Sequence, residues 1–221
     1  MHKKLIRIAI CIFGIVLLIS FVCSMAISGV LLDAGWSASA RTTAAGIAAG
    51  AIFSVLSFIV WDFARRGTEI FNSIIRTRNN GERLWLDIEA QLQRRADLVP
   101  KITGIAERFL THEHDTLVNV IWARKQFDAS PDRLQRIKAG DALLSSLVAL
   151  FAVAESYPTL VSNTNIQALH TEVINTENKI ADFRLAYNGS INDYNDQIEI
   201  FPNNIVARIF AFSRTHTLPI K

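Results

Sequence analysis

Apolar residues recur at alternating steps of three and four from Ile166 to Tyr194, which predicts one long helix with a single apolar face. The stripe consists of Ile166, Leu169, Val173, Thr176, Ile180, Phe183, Tyr187, Ser190 and Tyr194. Near its end the stripe drifts to Ile191 and Ile198, because the period of a straight helix differs from 3.5 residues. Such a helix needs partner helices that cover its apolar face.

The residues before this helix show the same kind of spacing and supply the predicted partners. Asn163 or Thr164 can cap the long helix. Short connections between four helices favour an all-α fold, an elongated antiparallel four-helix bundle over residues 67–202. The three preceding helices are predicted at about 68–97, 100–127 and 132–156.

Two residues mark special points in this pattern. Pro100 predicts a helix boundary, since the residue before a proline is disfavoured in the α region and proline is well accepted in a first turn. Gly81 costs about 1 kcal/mol relative to alanine inside a helix. It therefore predicts either a kink or a close approach between helices.

Two uncharged runs precede the bundle, from Ile8 to Leu32 and from Thr42 to Trp61. Each can cross a hydrocarbon core of roughly 30 Å, which takes about 20 helical residues. We therefore expect a two-span transmembrane hairpin, with spans at about 8–32 and 42–63, in an anchor of residues 1–66. Basic residues flank both ends of the hairpin, so the positive-inside rule predicts that both termini and the bundle are cytoplasmic. The alternative for the first run is a cleaved signal peptide.

Small residues repeat at four-residue spacing within the predicted spans, which allows close helix packing in a membrane. They are Ser20, Ser24 and Ser28 in the first span and Gly46 and Gly50 in the second. Two interpretations remain open for these faces. They pack against each other inside the hairpin, or Gly46 and Gly50 drive self-association.

The C-terminal residues 203–221 form an apolar segment with arginines, a composition typical of chains lying in the lipid headgroup region. The candidate membrane-interface residues are Ile205, Ile209, Phe210 and Phe212. The alternative is that Ile205, Ile209 and Phe210 cap the end of the bundle core.

Charge and residue types exclude several classes of function. From Ala64 onward, 19 Lys and Arg residues balance 18 Asp and Glu residues, which argues against nucleic-acid binding. His112 and His114 lie two residues apart and point about 200° away from each other on a helix, so they cannot share one metal ion. We find no glycine-rich phosphate loop and no catalytic arrangement. The sequence therefore predicts no catalytic, cofactor or metal residue and no small-molecule substrate.

A charged group near the end of the first bundle helix is a candidate for either helix register or partner binding. Arg94 and Arg95 point about 100° apart on a helix. One interpretation is an inter-helix ion pair with Glu155 or Glu177. The other interpretation is a surface for an anionic partner, and Asp97 belongs to the group under both interpretations.

Several short blocks resemble the LemA family of bacterial membrane-anchored helical proteins. The main block is Asp87-Ile88-Glu89-Ala90-Gln91-Leu92-Gln93-Arg94-Arg95-Ala96-Asp97-Leu98-Val99-Pro100. Glu155-Ser156-Tyr157-Pro158, Thr176-Glu177-Asn178, Tyr187-Asn188, Tyr194-Asn195 and Phe201-Pro202-Asn203 follow in the family's order. The resemblance covers residues 71–212. It implies a helical bundle on a membrane anchor that faces the cytoplasm, in a family without established enzymatic activity.

The resemblance also bears on partners. Genes of this family often lie beside that of a membrane zinc metalloprotease, and one branch of the family serves magnetosome membranes. We therefore expect a non-enzymatic scaffold or adaptor in the bacterial inner membrane, with lipid and further copies of itself as partners. The alternative is an accessory subunit of a membrane zinc metalloprotease. The family usually has one span, whereas two are predicted here.

Overall fold

The computed structural model describes residues 38–110 and 112–219, and side chains from residue 48 onward except residue 49. All regular structure in these ranges is α-helical, as the sequence predicts. The described chain divides into two units between Ser73 and Ile74, seven residues after the predicted boundary, and the second unit contains the bundle. The helices are α1 (Ala38–Ala106), α2 (His114–Asp128), α3 (Arg133–Ala154), α4 (Pro158–Val161), α5 (Thr164–Glu199) and α6 (Asn203–Ile209).

The predicted helix boundary at Pro100 is wrong, because α1 continues through Pro100 to Ala106. A proline inside a helix costs roughly 3 kcal/mol through its missing N–H and its clash with the preceding turn. Val99 and Ile102 are buried on either side of the exposed Pro100 ring, and burial of such side chains contributes a comparable free energy. The chain leaves the helix only after Ala106, and α2 begins at His114.

Helix α5 packs antiparallel to the bundle part of α1. As residue numbers rise along α1, those of its partners on α5 fall. The hydrogen-bonded pairs are Thr77–Gln197, Asn80–Ser190 and Arg95–Glu177. Gly81 lies in this contact, where an added Cβ would come within 3.0 Å of Ile191 Cδ1. The close-approach interpretation of Gly81 is therefore confirmed.

Helix α3 runs parallel to α1, because the residue numbers of contacting pairs increase together along both helices. The contacts are Glu82–Arg133, Glu89–Arg136 and Gln93–Arg136. Helix α2 reverses direction between them and is joined to α3 by a short turn. Asp132 caps α3 by accepting from Gln135 N–H at 2.8 Å. With α5, these helices form the predicted up-and-down four-helix bundle.

Among the described residues, only α3 is long and apolar enough to cross a membrane by length and composition. Its side chains Ile137, Leu143, Leu147 and Leu150 are fully or almost fully buried in the bundle core. We therefore interpret α3 as a core helix of the bundle.

The predicted anchor is described only in part. The predicted first span, with Ser20, Ser24 and Ser28, lies outside the described residues. At Gly46 only the backbone is described. The backbone of residues 42–63, the predicted second span, belongs to α1. Gly50 is exposed there, and its Cβ position meets no described atom within 4 Å. The packing role of these small residues stays a prediction.

Candidate functional site

Helix α5 carries the predicted stripe, and most of it is buried. Leu169 and Phe183 are half-buried, while the other stripe positions are buried, together with Ile191 and Ile198. Asn163 caps the helix through its side-chain oxygen, which accepts from the N–H groups of Asn165 and Ile166. Three further polar residues of α5 are buried beside the stripe: Arg184, Asn188 and Asn195.

Arg95 lies at the centre of a buried group of charges. Its side chain is 0% exposed, and its guanidinium donates in three directions. Nη2 bonds Glu177 Oε2 at 2.5 Å, Nε bonds Thr176 Oγ1 at 3.3 Å, and Nη1 bonds the Gly140 carbonyl at 3.4 Å. Arg95 thus joins α1 to α3 and α5. It takes Glu177, one of its two expected acidic partners.

A second ion pair lies next to Arg95. Arg184 Nη2 donates to Asp141 Oδ1 at 2.7 Å, and both side chains are largely buried. Burial lowers the pKa of Arg95, and the negative charges of Glu177 and Asp141 oppose that shift. We call Arg95, Glu177, Arg184 and Asp141 the charged layer. Its two positive and two negative charges balance, so burying them together leaves no net charge in the core.

The charged layer requires close packing between α1 and α3. An added Cβ at Gly140 would come within 2.5 Å of Leu92 Cδ2. Glycine at this position therefore lets the α3 backbone approach α1, and the Gly140 carbonyl comes within reach of Arg95.

The remaining members of the predicted charged group lie apart from this layer. Arg94 pairs with Glu172 at 2.6 Å on the surface, and Asp97 accepts from Gln93 Nε2 at 3.0 Å. Glu155 directly follows α3 and is exposed, where it lines an open pocket of about 270 Å³ together with His170. Glu155 is therefore separate from the Arg95 contact.

Asn188 and Asn195 bind the C-terminal residues 213–219, which we call the strap. Asn195 Nδ2 donates to the Thr215 carbonyl at 2.9 Å, and its Oδ1 accepts from Thr215 N–H at 3.0 Å. Asn188 does the same for Leu218, at 2.9 and 2.7 Å. Both asparagines therefore pair with the backbone of the strap.

The spacing of these two asparagines matches the strap. Seven helical residues rise about 10.5 Å, and three extended residues span about 10 Å. Asn195 and Asn188 can therefore each bond one strap residue, Thr215 and Leu218, without shifting the extended chain. We call this pair the asparagine clamp.

Two further contacts fix the strap to the bundle. The Leu218 side chain is buried in the hydrophobic core, and the Tyr194 hydroxyl donates to the Ser213 carbonyl at 3.0 Å. Burial raises the pKa of Tyr194, while the positive charge of Arg78 opposes the shift. The strap thus packs on α5 as part of the bundle.

The candidate membrane-interface residues differ in exposure. Ile205 and Ile209 of α6 are exposed, whereas Phe210 and Phe212 are half-buried. Phe201, which lies four residues before Ile205, is 74% exposed. Ile205 and Ile209 lie four residues apart on α6 and therefore share one face of the helix, whereas Phe201 lies just before the helix begins.

Metal and surface features complete the described bundle. Within the described ranges, no group of three or more His, Cys, Asp or Glu side chains is arranged to hold a metal ion. On α2, Val118, Ile121 and Trp122 form an exposed apolar surface that we call the outer α2 face. The opposite, core side of α2 is filled by Leu117, Val120, Ala123 and Phe127.

Comparison with known proteins identifies the family. A family model described as the LemA family matches residues 84–221. The chain belongs to the LemA family. The match includes the charged layer, the asparagine clamp and the strap, so these features lie within the family's domain.

Two curated relatives are magnetosome proteins of Paramagnetospirillum magneticum, named MamQ 1 and MamQ 2. Each is 35% identical to this LemA-family chain over 85 residues, which is 35% of the chain and 31% of the relative. The chain thus aligns with less than a third of each relative's length. Family membership and these relatives favour a membrane-associated helical protein.

Proposed function

We propose that this LemA-family protein is a non-enzymatic scaffold of the bacterial inner membrane. In this proposal, two spans at 8–32 and 42–63 anchor the chain, and both termini and the bundle are cytoplasmic. The bundle organises other membrane proteins or a region of the membrane. No cofactor, nucleic acid or small-molecule substrate takes part.

One observation carries the membrane anchor. Large apolar side chains of α1 are exposed around much of the helix surface: Val55, Phe58, Ile59, Trp61 and Phe63. At 3.6 residues per turn these positions do not form a single stripe, unlike the apolar face of a bundle helix. Arg65 lies 5.7 Å from the Trp61 ring, an aromatic and basic pairing typical of a membrane–water interface.

Topology mapping tests the anchor. A reporter active only in the cytoplasm, fused after Met1, within residues 33–41 or after Lys221, should be active at both termini and inactive between the spans. Activity at residues 33–41 together with activity at both termini would overturn the hairpin. An inactive N-terminal reporter would favour a single span or a cleaved first run.

The outer α2 face is the surface that we propose recruits a membrane protein. Trp122 is 61% exposed, and large aromatic side chains are enriched in protein interfaces. A photo-crosslinking residue at Lys125, one turn from Ile121 and Trp122, would test this in native membranes. Lys179, exposed on α5, is the matched control position.

The crosslinked products separate two functions. Adducts to membrane proteins at Lys125 but not at Lys179 would support recruitment through the outer α2 face. A single adduct to a membrane zinc metalloprotease would favour the alternative, an accessory subunit of that enzyme. Equal labelling at both positions would contradict a dedicated face.

The C-terminal segment adds a second proposed contact, with the lipid bilayer. Ile205 and Ile209 are exposed next to Arg208, which suits a helix lying among headgroups. In a chain whose four native tryptophans are replaced by phenylalanine, a tryptophan introduced as Ile205→Trp should be quenched by brominated lipid. Phe212→Trp in the same background should be quenched less, because Phe212 is half-buried. Absence of quenching at residue 205 would contradict the contact.

A further inference from the structure

The asparagine clamp recognises backbone atoms. Each carboxamide offers one donor and one acceptor to the same strap residue, with all four distances between 2.7 and 3.0 Å. A neighbouring β-strand offers an extended chain the same paired bonds. The clamp therefore binds an extended peptide largely independently of its side chains.

One side chain adds selectivity. Leu218 is buried, whereas His216 and Thr217 are exposed and Thr215 is half-buried. The site thus fits an extended segment that has free N–H groups at two positions three residues apart and a leucine at the second. Proline at either position would remove a donor that the clamp uses.

The turn that returns the strap to its own α5 is strained. Ala211 has φ 55°, in the left-handed region that residues with a Cβ disfavour. It lies between α6 and the strap, and the strain arises only where the chain turns back in this way. A strap bound to another molecule is not required to make that turn.

We propose that the asparagine clamp is a peptide-binding site, and that the strap of a second copy can replace the chain's own strap. This exchange would link copies of the protein. It rests on the proposed function in one respect, since anchoring in a shared membrane raises the concentration of straps around each clamp.

Two complementary variants of the membrane-anchored protein test the exchange. The donor carries Asn188→Ala and Asn195→Ala and keeps its strap. The acceptor ends after Phe212 and keeps its clamp. Differently tagged and produced in one membrane, donor and acceptor should co-purify at least about tenfold more than donor with donor or acceptor with acceptor, as expected for loss of paired hydrogen bonds.

The control adds Asn188→Ala and Asn195→Ala to the acceptor as well. Co-purification that survives this change, or that is equal in all pairings, would overturn the proposal. Absence of co-purification between donor and acceptor would also overturn the exchange between copies.

Peptide binding guards against a variant that fails to fold. A fluorescein-labelled peptide of residues 212–219 is added to the acceptor in detergent micelles, after circular dichroism has shown that the acceptor is helical. Fluorescence anisotropy should show saturable binding. A peptide N-methylated at Leu218 should bind with at least about tenfold lower affinity. Equal binding of both peptides would overturn the site.

This measurement separates the proposal from the proposed function. It requires no membrane partner and no particular topology. If the peptide binds but the topology test fails, the clamp is supported and the hairpin is contradicted. If the topology test succeeds but the peptide does not bind, only the clamp proposal is contradicted.

Discussion

The charged layer and the asparagine clamp both include polar residues of α5, but they bind their partners differently. The charged layer pairs side chains with formal charges across three helices. The clamp pairs neutral carboxamides with the backbone of the strap. Removing one residue of the charged layer leaves a buried charge without its partner. The asparagine clamp, by contrast, can exchange the strap for water or for another backbone segment. The first thus fixes helix register, and the second allows release.

The largest effect should come from Arg95→Ala in the charged layer. It should lower the free energy of unfolding by about 3–5 kcal/mol, because Glu177 loses its counter-charge and the Gly140 carbonyl loses its donor. Arg94→Ala is the matched control, since its exposed pair with Glu172 contributes about 1 kcal/mol or less. Denaturant unfolding followed by circular dichroism measures both. Similar losses in the two variants would contradict the difference between buried and exposed pairs.

Gly140→Ala tests the close packing that the charged layer requires. The added methyl group overlaps Leu92, so we expect a loss of about 1–3 kcal/mol despite alanine's better helix propensity. Gly189→Ala in α5 is the control, because no described atom lies within 4 Å of its Cβ position. The control should gain about 0.5–1 kcal/mol. If both variants gained stability by the same measurement, the packing argument would be wrong.

Ala211→Gly tests the strain at the strap's turn. Glycine adopts positive φ freely, so strap docking should strengthen by up to about 1 kcal/mol after the greater freedom of the unfolded chain is subtracted. Hydrogen exchange at the amides of Thr215 and Leu218 reports this directly. Ala142→Gly, at an exposed position of α3, should instead lose about 1 kcal/mol of bundle stability. Unchanged or faster exchange in the Ala211 variant would contradict the strain.

The smallest effect concerns pH and Tyr194. Burial raises the pKa of this hydroxyl in the folded protein, so its stabilising contribution is complete below pH about 10 and is lost as the pH rises through the folded value. Tyr194→Phe should cost about 1 kcal/mol at pH 9. The gap in unfolding temperature between the two proteins should shrink at pH 11. A gap that stayed constant would show that the hydroxyl does not titrate with unfolding.

The bundle could be predicted from the sequence because its helices have periodic apolar faces. The Arg95–Glu177 pair could also be predicted from the sequence, since Arg95 occurs three residues after Leu92 on the buried side of α1. The boundary at Pro100 was wrong because local propensity was weaker than the burial of the residues around it. Local pattern alone could not weigh that tertiary contribution.

The asparagine clamp was out of reach for a different reason. Asn188 and Asn195 lie beside the apolar stripe, at positions that are exposed in a helix covered on one side only. They are buried because the strap covers a second side, and the strap has no periodic pattern of its own. The sequence signal that could have indicated the clamp is the Tyr-Asn pair that occurs at residues 187–188 and again seven residues later at 194–195.

Seven helical residues between Asn188 and Asn195 match three extended residues between Thr215 and Leu218, so the clamp fixes the length of the strap between its two bonded positions. Inserting or deleting a single residue at His216 or Thr217 would move Leu218 out of register with Asn188 while Thr215 stayed in place. The neighbouring side chains could vary freely, but the length could not. Across related sequences, we therefore expect tails that differ in composition and keep a two-residue interval between the two bonded positions.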